Sequence, residues 1–202
     1  MYLNNYYYYF TNVFDDRFIK SVKDLAKKQK IIKGTISNDR EKGDELIVKE
    51  TTRDSDICWI NDQWLYDLIE PYITEANKMA DWNFQVDYFE DIQFTKYKKN
   101  QHYDWHIDNL ANTYITAQNC NTNGKYRKLS FSINLSDPKD FEGGEFYFEF
   151  LNSPNNNIVE CKEIKQKGTI IIFPSFVKHK VAPITKGERN SLVGWVLGYP
   201  FK

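Results

Sequence analysis

The second half of the chain alternates apolar and polar residues with a period of two, and this pattern constrains the fold most strongly. Residues 129–135 place leucine, phenylalanine, isoleucine and leucine at alternate positions, with serine, serine and asparagine between them. Residues 146–150 repeat the pattern with three phenylalanines. Because successive side chains of a strand point to opposite faces, this alternation predicts β-strands with one apolar, buried face.

Two helical patterns precede the strands. Aspartates at 15–16 can cap a first helix with apolar residues at helical spacing over 18–26. Asn61-Asp62 can begin a second helix, whose apolar stripe runs over 64–79. Pro71 is expected to kink or restart this helix.

Helices followed by about eight short strands predict an α+β domain. Its core is expected to be a double-stranded β-helix, the cupin-like jelly roll, with the helices supporting one sheet. The length of 202 residues suits a single domain over residues 1–202. Within it, residues 1–83 are expected to supply the helical support and a loop, and residues 84–202 the jelly-roll core.

Charge and cysteine content exclude several classes of protein. With 27 basic and 28 acidic residues, the chain has no overall field that favours nucleic acid or an anionic membrane, and no nucleic-acid partner is expected. No stretch approaches the ~18 apolar residues of a membrane helix. Three cysteines without C-x-x-C spacing, and an N-terminus without signal-peptide features, indicate a cytoplasmic protein. The sequence fixes no oligomeric state.

Two H-x-D pairs, His102 with Asp104 and His106 with Asp108, are candidate metal ligands. In a strand, all four side chains share one face, and the two histidines lie roughly 13 Å apart, too far to bind one metal. At most one pair is therefore a site. In a helix, the histidines would form an i, i+4 pair as in zinc hydrolases, but Tyr103 stands where that motif needs glutamate.

An H-x-D pair joined by the distant His179 supplies two imidazoles and one carboxylate. This ligand set holds non-haem Fe(II) on one face and leaves positions open for a co-substrate and O2. Arg189 offers a planar fork for the distal carboxylate of a 2-oxo acid, and in a strand Ser191 projects to the same side. The alternative for Arg189 is a surface ion pair with a neighbouring acid.

Three segments, residues 97–108, 127–145 and 167–195, together resemble the prolyl 4-hydroxylase-like Fe(II)/2-oxoglutarate oxygenases. In that family a tyrosine stands nine or ten residues before the histidine of H-x-D, a spacing that Tyr97 shows with His106. The likeness is closest to the bacterial and phage-encoded PKHD-type branch, which uses arginine where collagen-type enzymes use lysine. It covers residues 84–200 well and the preceding part only loosely.

The resemblance implies an Fe(II)- and 2-oxoglutarate-dependent dioxygenase that hydroxylates a prolyl residue in a peptide or protein. O2 is the second co-substrate, succinate and CO2 are released, and ascorbate can serve as reductant. No catalytic residue is implied beyond the iron centre. The implied site residues are His106, Asp108 and His179 for iron, Arg189, Tyr97 and Ser191 for 2-oxoglutarate, and Trp195 for the substrate.

Two alternatives share much of this pattern. An oxygenase that acts on a nucleobase, another residue type or a small molecule would use the same iron and co-substrate residues. A metal-free jelly-roll binding module would keep the strands but would have no use for the triad. In an oxygenase, the loops around residues 33–57 and 109–127 are expected to form the lid.

Overall fold

The computed structural model describes residues 3, 5–38, 45–109, 113, 121–150 and 157–201. The predicted lid segments and Cys120 lie partly or wholly outside these residues. The two described cysteines, Cys58 and Cys161, are buried and free. No described helix is long and apolar enough to cross a membrane.

Both predicted helices are present. α1 (Asp16–Ala26) begins after Asp15, whose carboxylate accepts a hydrogen bond from the Phe18 backbone N–H at 2.9 Å. α2 (Gln63–Met79) runs without interruption through Pro71, so the predicted restart is wrong.

The apolar stripe of α2 accounts for its continuity. Leu65 and Ile69 before Pro71, and Ile73 and Ala76 after it, are all buried in the same core. Burial of both halves against one sheet outweighs the single backbone hydrogen bond that a proline removes.

The strands of the described residues range from two to ten residues in length. They are β1 (Tyr8–Phe10), β2 (Ile32–Lys33), β3 (Ile36–Asn38), β4 (Glu45–Ile47), β5 (Arg53–Asp54), β6 (Asp56–Ile60), β7 (Tyr88–Phe89), β8 (Ile92–Tyr97), β9 (His102–His106), β10 (Tyr126–Asn134), β11 (Phe141–Gly143), β12 (Phe146–Glu149), β13 (Ile158–Glu160), β14 (Ile170–Pro174), β15 (Lys178–Val181), β16 (Ile184–Gly187) and β17 (Arg189–Gly198). A 3-10 helix spans Glu163–Lys165.

Two facing sheets form the core. The major sheet has the order β1-β14-β10-β17-β8-β6-β2, with β7 paired to β17, and the minor sheet has the order β13-β12-β15-β9-β5. Strands distant in sequence are neighbours in both sheets, and the pairing is antiparallel. This arrangement confirms the predicted jelly roll with helices supporting one sheet.

The alternation in β10 separates two kinds of buried surface. Leu129, Phe131 and Ile133 point into the core that the major sheet shares with the helices. Ser130 and Ser132 point to the opposite, inner face, towards the minor sheet, and are also buried. The polar side of the strand therefore lines the barrel interior, where a site can form.

Candidate metal centre and co-substrate pocket

The minor sheet brings the predicted triad together. His106, at the end of β9, lies directly opposite His179 on β15. Asp108 follows β9, and its backbone N–H donates to the Ser175 carbonyl at 2.9 Å. The Nε2 atoms of His106 and His179 each lie 3.6 Å from a different carboxylate oxygen of Asp108. One ligand atom from each of the three residues lies within 4.8 Å of the others.

Backbone carbonyls orient both imidazoles. The Nδ1 of His106 is 2.7 Å from the carbonyl oxygen of Asp104, and the Nδ1 of His179 is 2.9 Å from that of Val177. Because a carbonyl oxygen only accepts, these contacts assign the ring proton to Nδ1 in each neutral imidazole. Both Nε2 lone pairs are then directed towards Asp108, as metal ligation requires.

The charges of the three groups also suit a divalent cation. Burial, followed by the proximity of His179, lowers the pKa of His106 to about 3, so this imidazole is neutral. Burial acts to raise the pKa of Asp108, but the two imidazoles, Arg127 and a hydrogen bond from Ser130 hold it below its ordinary value. Two imidazoles and a carboxylate fit Fe(II).

Aromatic rings hold the imidazoles in place. The ring of Tyr103 stacks on His106 with centroids 3.5 Å apart and an interplanar angle of 9°. His179 stacks on Phe146 at 5.5 Å and meets the edge of Phe173 at 4.6 Å. Packing on these rings restricts rotation of both ligands.

A β-bulge corrects one expectation about β9. Strict alternation places Tyr103 on the face opposite to His106, but His106 pairs with His179 and Tyr103 with Val181. Tyr103 and His106 are three positions apart in β9, whereas their partners Val181 and His179 are two positions apart in β15. The extra residue in β9 turns Tyr103 to the side of His106. Tyr103 was missed as the stacking partner of His106 because a β-bulge cannot be recognised from the alternation of apolar and polar residues.

The second H-x-D pair does not join a cluster of metal-ligand atoms among the described residues. The two ring nitrogens of His102 lie 3.3 Å and 3.4 Å from the carbonyl oxygens of Asn100 and Thr51. Residues 102–106 form β9, so the alternative of a helical zinc site is wrong.

The predicted co-substrate residues lie on the inner face of the major sheet. Arg189 on β17 is paired with Tyr97 on β8, and Ser191 follows on the same face. Only 2% of Arg189 is exposed, and its Nη2 has no hydrogen-bond partner among the described residues. Burial lowers the pKa of Arg189, and the nearby Tyr97 opposes this effect.

A buried guanidinium with an unused donor is unfavourable unless an anion pairs with it. A cavity borders Arg189 and is also lined by Gly144, Phe146, Cys161 and Ile164. The arrangement fits a carboxylate beside Arg189, and Phe146 contacts both this cavity and His179 of the triad.

Trp195 lies on the inner face of the major sheet, towards one end of β17, and is 6% exposed. The guanidinium of Arg127 covers its ring at 3.9 Å and forms a bidentate pair with Glu90, with distances of 2.7 Å and 2.6 Å. The indole Nε1 of Trp195 has no hydrogen-bond partner among the described residues. The Arg127–Glu90 pair was missed because the two residues are distant in sequence and follow no motif.

Comparisons with known proteins agree with this geometry. A PKHD-type hydroxylase of Prochlorococcus marinus (strain MIT 9515) is 38% identical over 108 residues, which are 54% of this chain and 42% of that protein. A PKHD-type hydroxylase of Idiomarina loihiensis is 30% identical over 105 residues, 52% of this chain and 41% of that protein. The matched region is thus less than half of these relatives.

Solved structures share the fold. The viral collagen prolyl hydroxylase of Paramecium bursaria Chlorella virus-1 aligns with a TM-score of 0.64 at 22% identity, covering 96% of this chain and 97% of that chain. A Pseudomonas putida prolyl-4-hydroxylase aligns with a TM-score of 0.60 at 16% identity, covering 96% and 93%. Residues 92–197, more than half of the chain, match the profile of one family, and the chain belongs to the 2OG-Fe(II) oxygenase superfamily.

Proposed function

We propose that this protein is an Fe(II)- and 2-oxoglutarate-dependent dioxygenase that hydroxylates a prolyl residue of a peptide or protein and releases succinate and CO2. One observation carries the proposal. The two Nε2 atoms and the carboxylate of the triad converge on one point, and the buried Arg189, whose Nη2 has no hydrogen-bond partner in the described part of the chain, lies on the facing sheet.

In this proposal His106, Asp108 and His179 hold Fe(II). Bound Fe(II) supplies the O2 chemistry that couples decarboxylation of 2-oxoglutarate to hydroxylation. The chain keeps both Nε2 atoms unprotonated through the Nδ1 contacts with backbone carbonyls. It also holds Asp108 ionised and hydrogen-bonded to Ser130.

Arg189 would anchor the distal carboxylate of 2-oxoglutarate through a charge-assisted, bidentate contact. Ser191 and Tyr97 are neighbours of Arg189 on the same inner face and would add hydroxyl donors. Burial raises the pKa of Tyr97, so its hydroxyl stays protonated and can donate. These groups position the co-substrate and replace the water that it loses on binding.

Two observations support the proposal of a prolyl substrate. Proteins named as prolyl hydroxylases share this fold, and one of them, from Trichoplax adhaerens, is described in complex with a peptide fragment of hypoxia inducible factor. In addition, Tyr103 places an aromatic ring beside the metal centre, and Trp195 lies beneath Arg127 on the inner face of the major sheet. An extended proline-rich peptide loses little entropy when it docks on such walls.

Residues 1–202 are proposed to act as one oxygenase domain, with residues 84–202 as its catalytic core. The family match and the triad both fall within this core. A cytoplasmic location stays a prediction from the cysteine content.

The test is an incubation of the protein with Fe(II), 2-oxoglutarate, O2, ascorbate and a panel of proline-containing peptides. Succinate formation and a mass gain of one oxygen atom on proline are expected, and His106→Ala should abolish both. If 2-oxoglutarate is consumed but no proline is oxygenated, another residue type, a nucleobase or a small molecule is the substrate. Absence of both metal binding and succinate would favour a jelly-roll binding module.

A further inference from the structure

Trp59 is an exposed tryptophan on a strand whose other apolar residues are buried. Cys58 and Ile60 of β6 point into the core beside the helices, so Ile57 and Trp59 point to the inner face. Only 2% of Ile57 is exposed, but 40% of Trp59 is. The inner face of the sheet is therefore covered at Ile57 and reaches solvent at Trp59, and this solvent-exposed side is called the opening below.

The ring of Trp59 lies next to that of Trp195. The two indole rings have centroids 6.2 Å apart and are tilted by 45°. Trp195 is almost fully buried beneath Arg127, whereas Trp59 presents its ring to solvent. The pair forms an aromatic wall that leads from the surface towards the metal centre.

The other side of the opening is also aromatic. Tyr103 stacks on His106, and the guanidinium of Arg53 lies 4.6 Å from the centroid of the Tyr103 ring. Arg53 also donates to Gln93, which is the partner of Trp59 in the β6–β8 ladder. The Arg53–Gln93 contact thus links the two walls and forms a polar floor between Trp59 and His106.

We propose that Trp59 is a specificity-determining residue that stacks on a second proline of the peptide substrate, outside the metal centre that takes the target residue. This inference rests on the proposed function and adds a second point of recognition to it. A polyproline II segment advances about 3.1 Å per residue, so the 6.2 Å between the two indole rings places a proline on Trp59 about two residues farther out than the part of the peptide beside Trp195. A rigid indole can stack on a pyrrolidine ring with little loss of conformational entropy.

The experiment compares diproline with octaproline, each flanked by the same short tails, on the wild-type protein and on Trp59→Ala. Binding is measured with Co(II) in place of Fe(II) and with 2-oxoglutarate present, and hydroxylation is measured with Fe(II). Loss of one ring contact should raise the Kd and KM for octaproline roughly 2- to 12-fold. The values for diproline should not change, because this peptide does not reach Trp59. Trp59→Phe should recover most of the affinity.

Tyr9→Ala is the matched control. Tyr9 is 42% exposed, lies on β1 at the opposite end of the same sheet, and has its ring 6.2 Å from that of Tyr7. This variant should bind both peptides as the wild type does. Melting temperatures of all variants identify any effect of misfolding.

The outcomes separate this inference from the proposed function. If wild-type protein binds octaproline no more tightly than diproline, or if Trp59→Ala weakens both peptides equally, the role of Trp59 is overturned. If binding depends on length and on Trp59 but no proline gains oxygen, the role of Trp59 stands and prolyl hydroxylation is overturned.

Discussion

His106 and His179 are direct partners across the β9–β15 ladder, and their ring centroids are 4.1 Å apart. This pairing brings together two residues that are distant in sequence and leaves Asp108, just beyond β9, next to both Nε2 atoms. A shift of one residue in the register would turn one histidine to the other face of the sheet. The metal centre therefore depends on the register of the minor sheet.

The first prediction concerns the metal ligands. Replacing His106, Asp108 or His179 by Ala removes one of three ligands and should abolish 2-oxoglutarate turnover and weaken binding of Co(II) as an Fe(II) substitute. His102→Ala should keep most of both, because the ring nitrogens of His102 lie next to backbone carbonyls and join no group of metal-ligand atoms among the described residues. Succinate assays and Co(II) titrations check this. Retained turnover in His106→Ala with loss in His102→Ala would assign the site to the other pair.

The second prediction concerns Arg189. A hydrogen bond to a charged group contributes about 1.5 to 3 kcal/mol, so Arg189→Ala should weaken 2-oxoglutarate binding by roughly 10- to 150-fold. The affinity for Co(II) should change little, because Arg189 is not among the grouped metal ligands. Calorimetric titration measures both affinities. Arg17→Ala, on the exposed side of α1, is the control for loss of an arginine charge.

An unchanged affinity for 2-oxoglutarate in Arg189→Ala would assign the co-substrate carboxylate to another cation. Arg189→Lys tests geometry in addition to charge. Lysine keeps a positive charge but lacks the planar fork, so an affinity between those of the wild type and the alanine variant is expected.

The third prediction concerns Ser130, whose hydroxyl donates to Asp108 and also lies 2.9 Å from the Ser175 hydroxyl. Hydrogen bonds to metal ligands orient them, and their loss typically lowers metal affinity about 10- to 100-fold. Ser130→Ala should therefore raise the Kd for Co(II) by at least 10-fold. Ser132→Ala, on the same strand and face, should not. Equal affinities in the two variants would show that Asp108 does not depend on Ser130.

Much of this architecture could be predicted because the period of two in residues 129–135 is a local property of the sequence. The serines were expected on a strand face, but their burial opposite the minor sheet depends on a partner distant in sequence. The orientation of Tyr103 could not be predicted for the same reason, because the bulge that turns it towards His106 arises from the pairing of β9 with β15. Continuity of α2 through Pro71 likewise depends on tertiary packing.

The last prediction concerns the wall of the substrate cleft. Trp195 is buried beneath Arg127, and its ring lies 6.2 Å from that of the exposed Trp59, so it supports the aromatic wall of the cleft from below. Truncation of such an aromatic anchor costs about 2 kcal/mol, so Trp195→Ala should raise the KM for a proline-containing peptide roughly 30-fold. The KM for 2-oxoglutarate should stay close to that of the wild type, because Arg189 is retained.

Trp64→Ala provides the comparison for lost stability. Trp64 packs edge-on against Phe18 at 5.8 Å, in the core shared with the helices on the far side of the major sheet. This variant should lower the melting temperature without changing the KM for the peptide. If both tryptophan variants raise the peptide KM equally, the effect is one of stability. If only Trp195→Ala does so, Trp195 belongs to the wall of the substrate cleft, because the two variants differ in which face of the major sheet loses an indole.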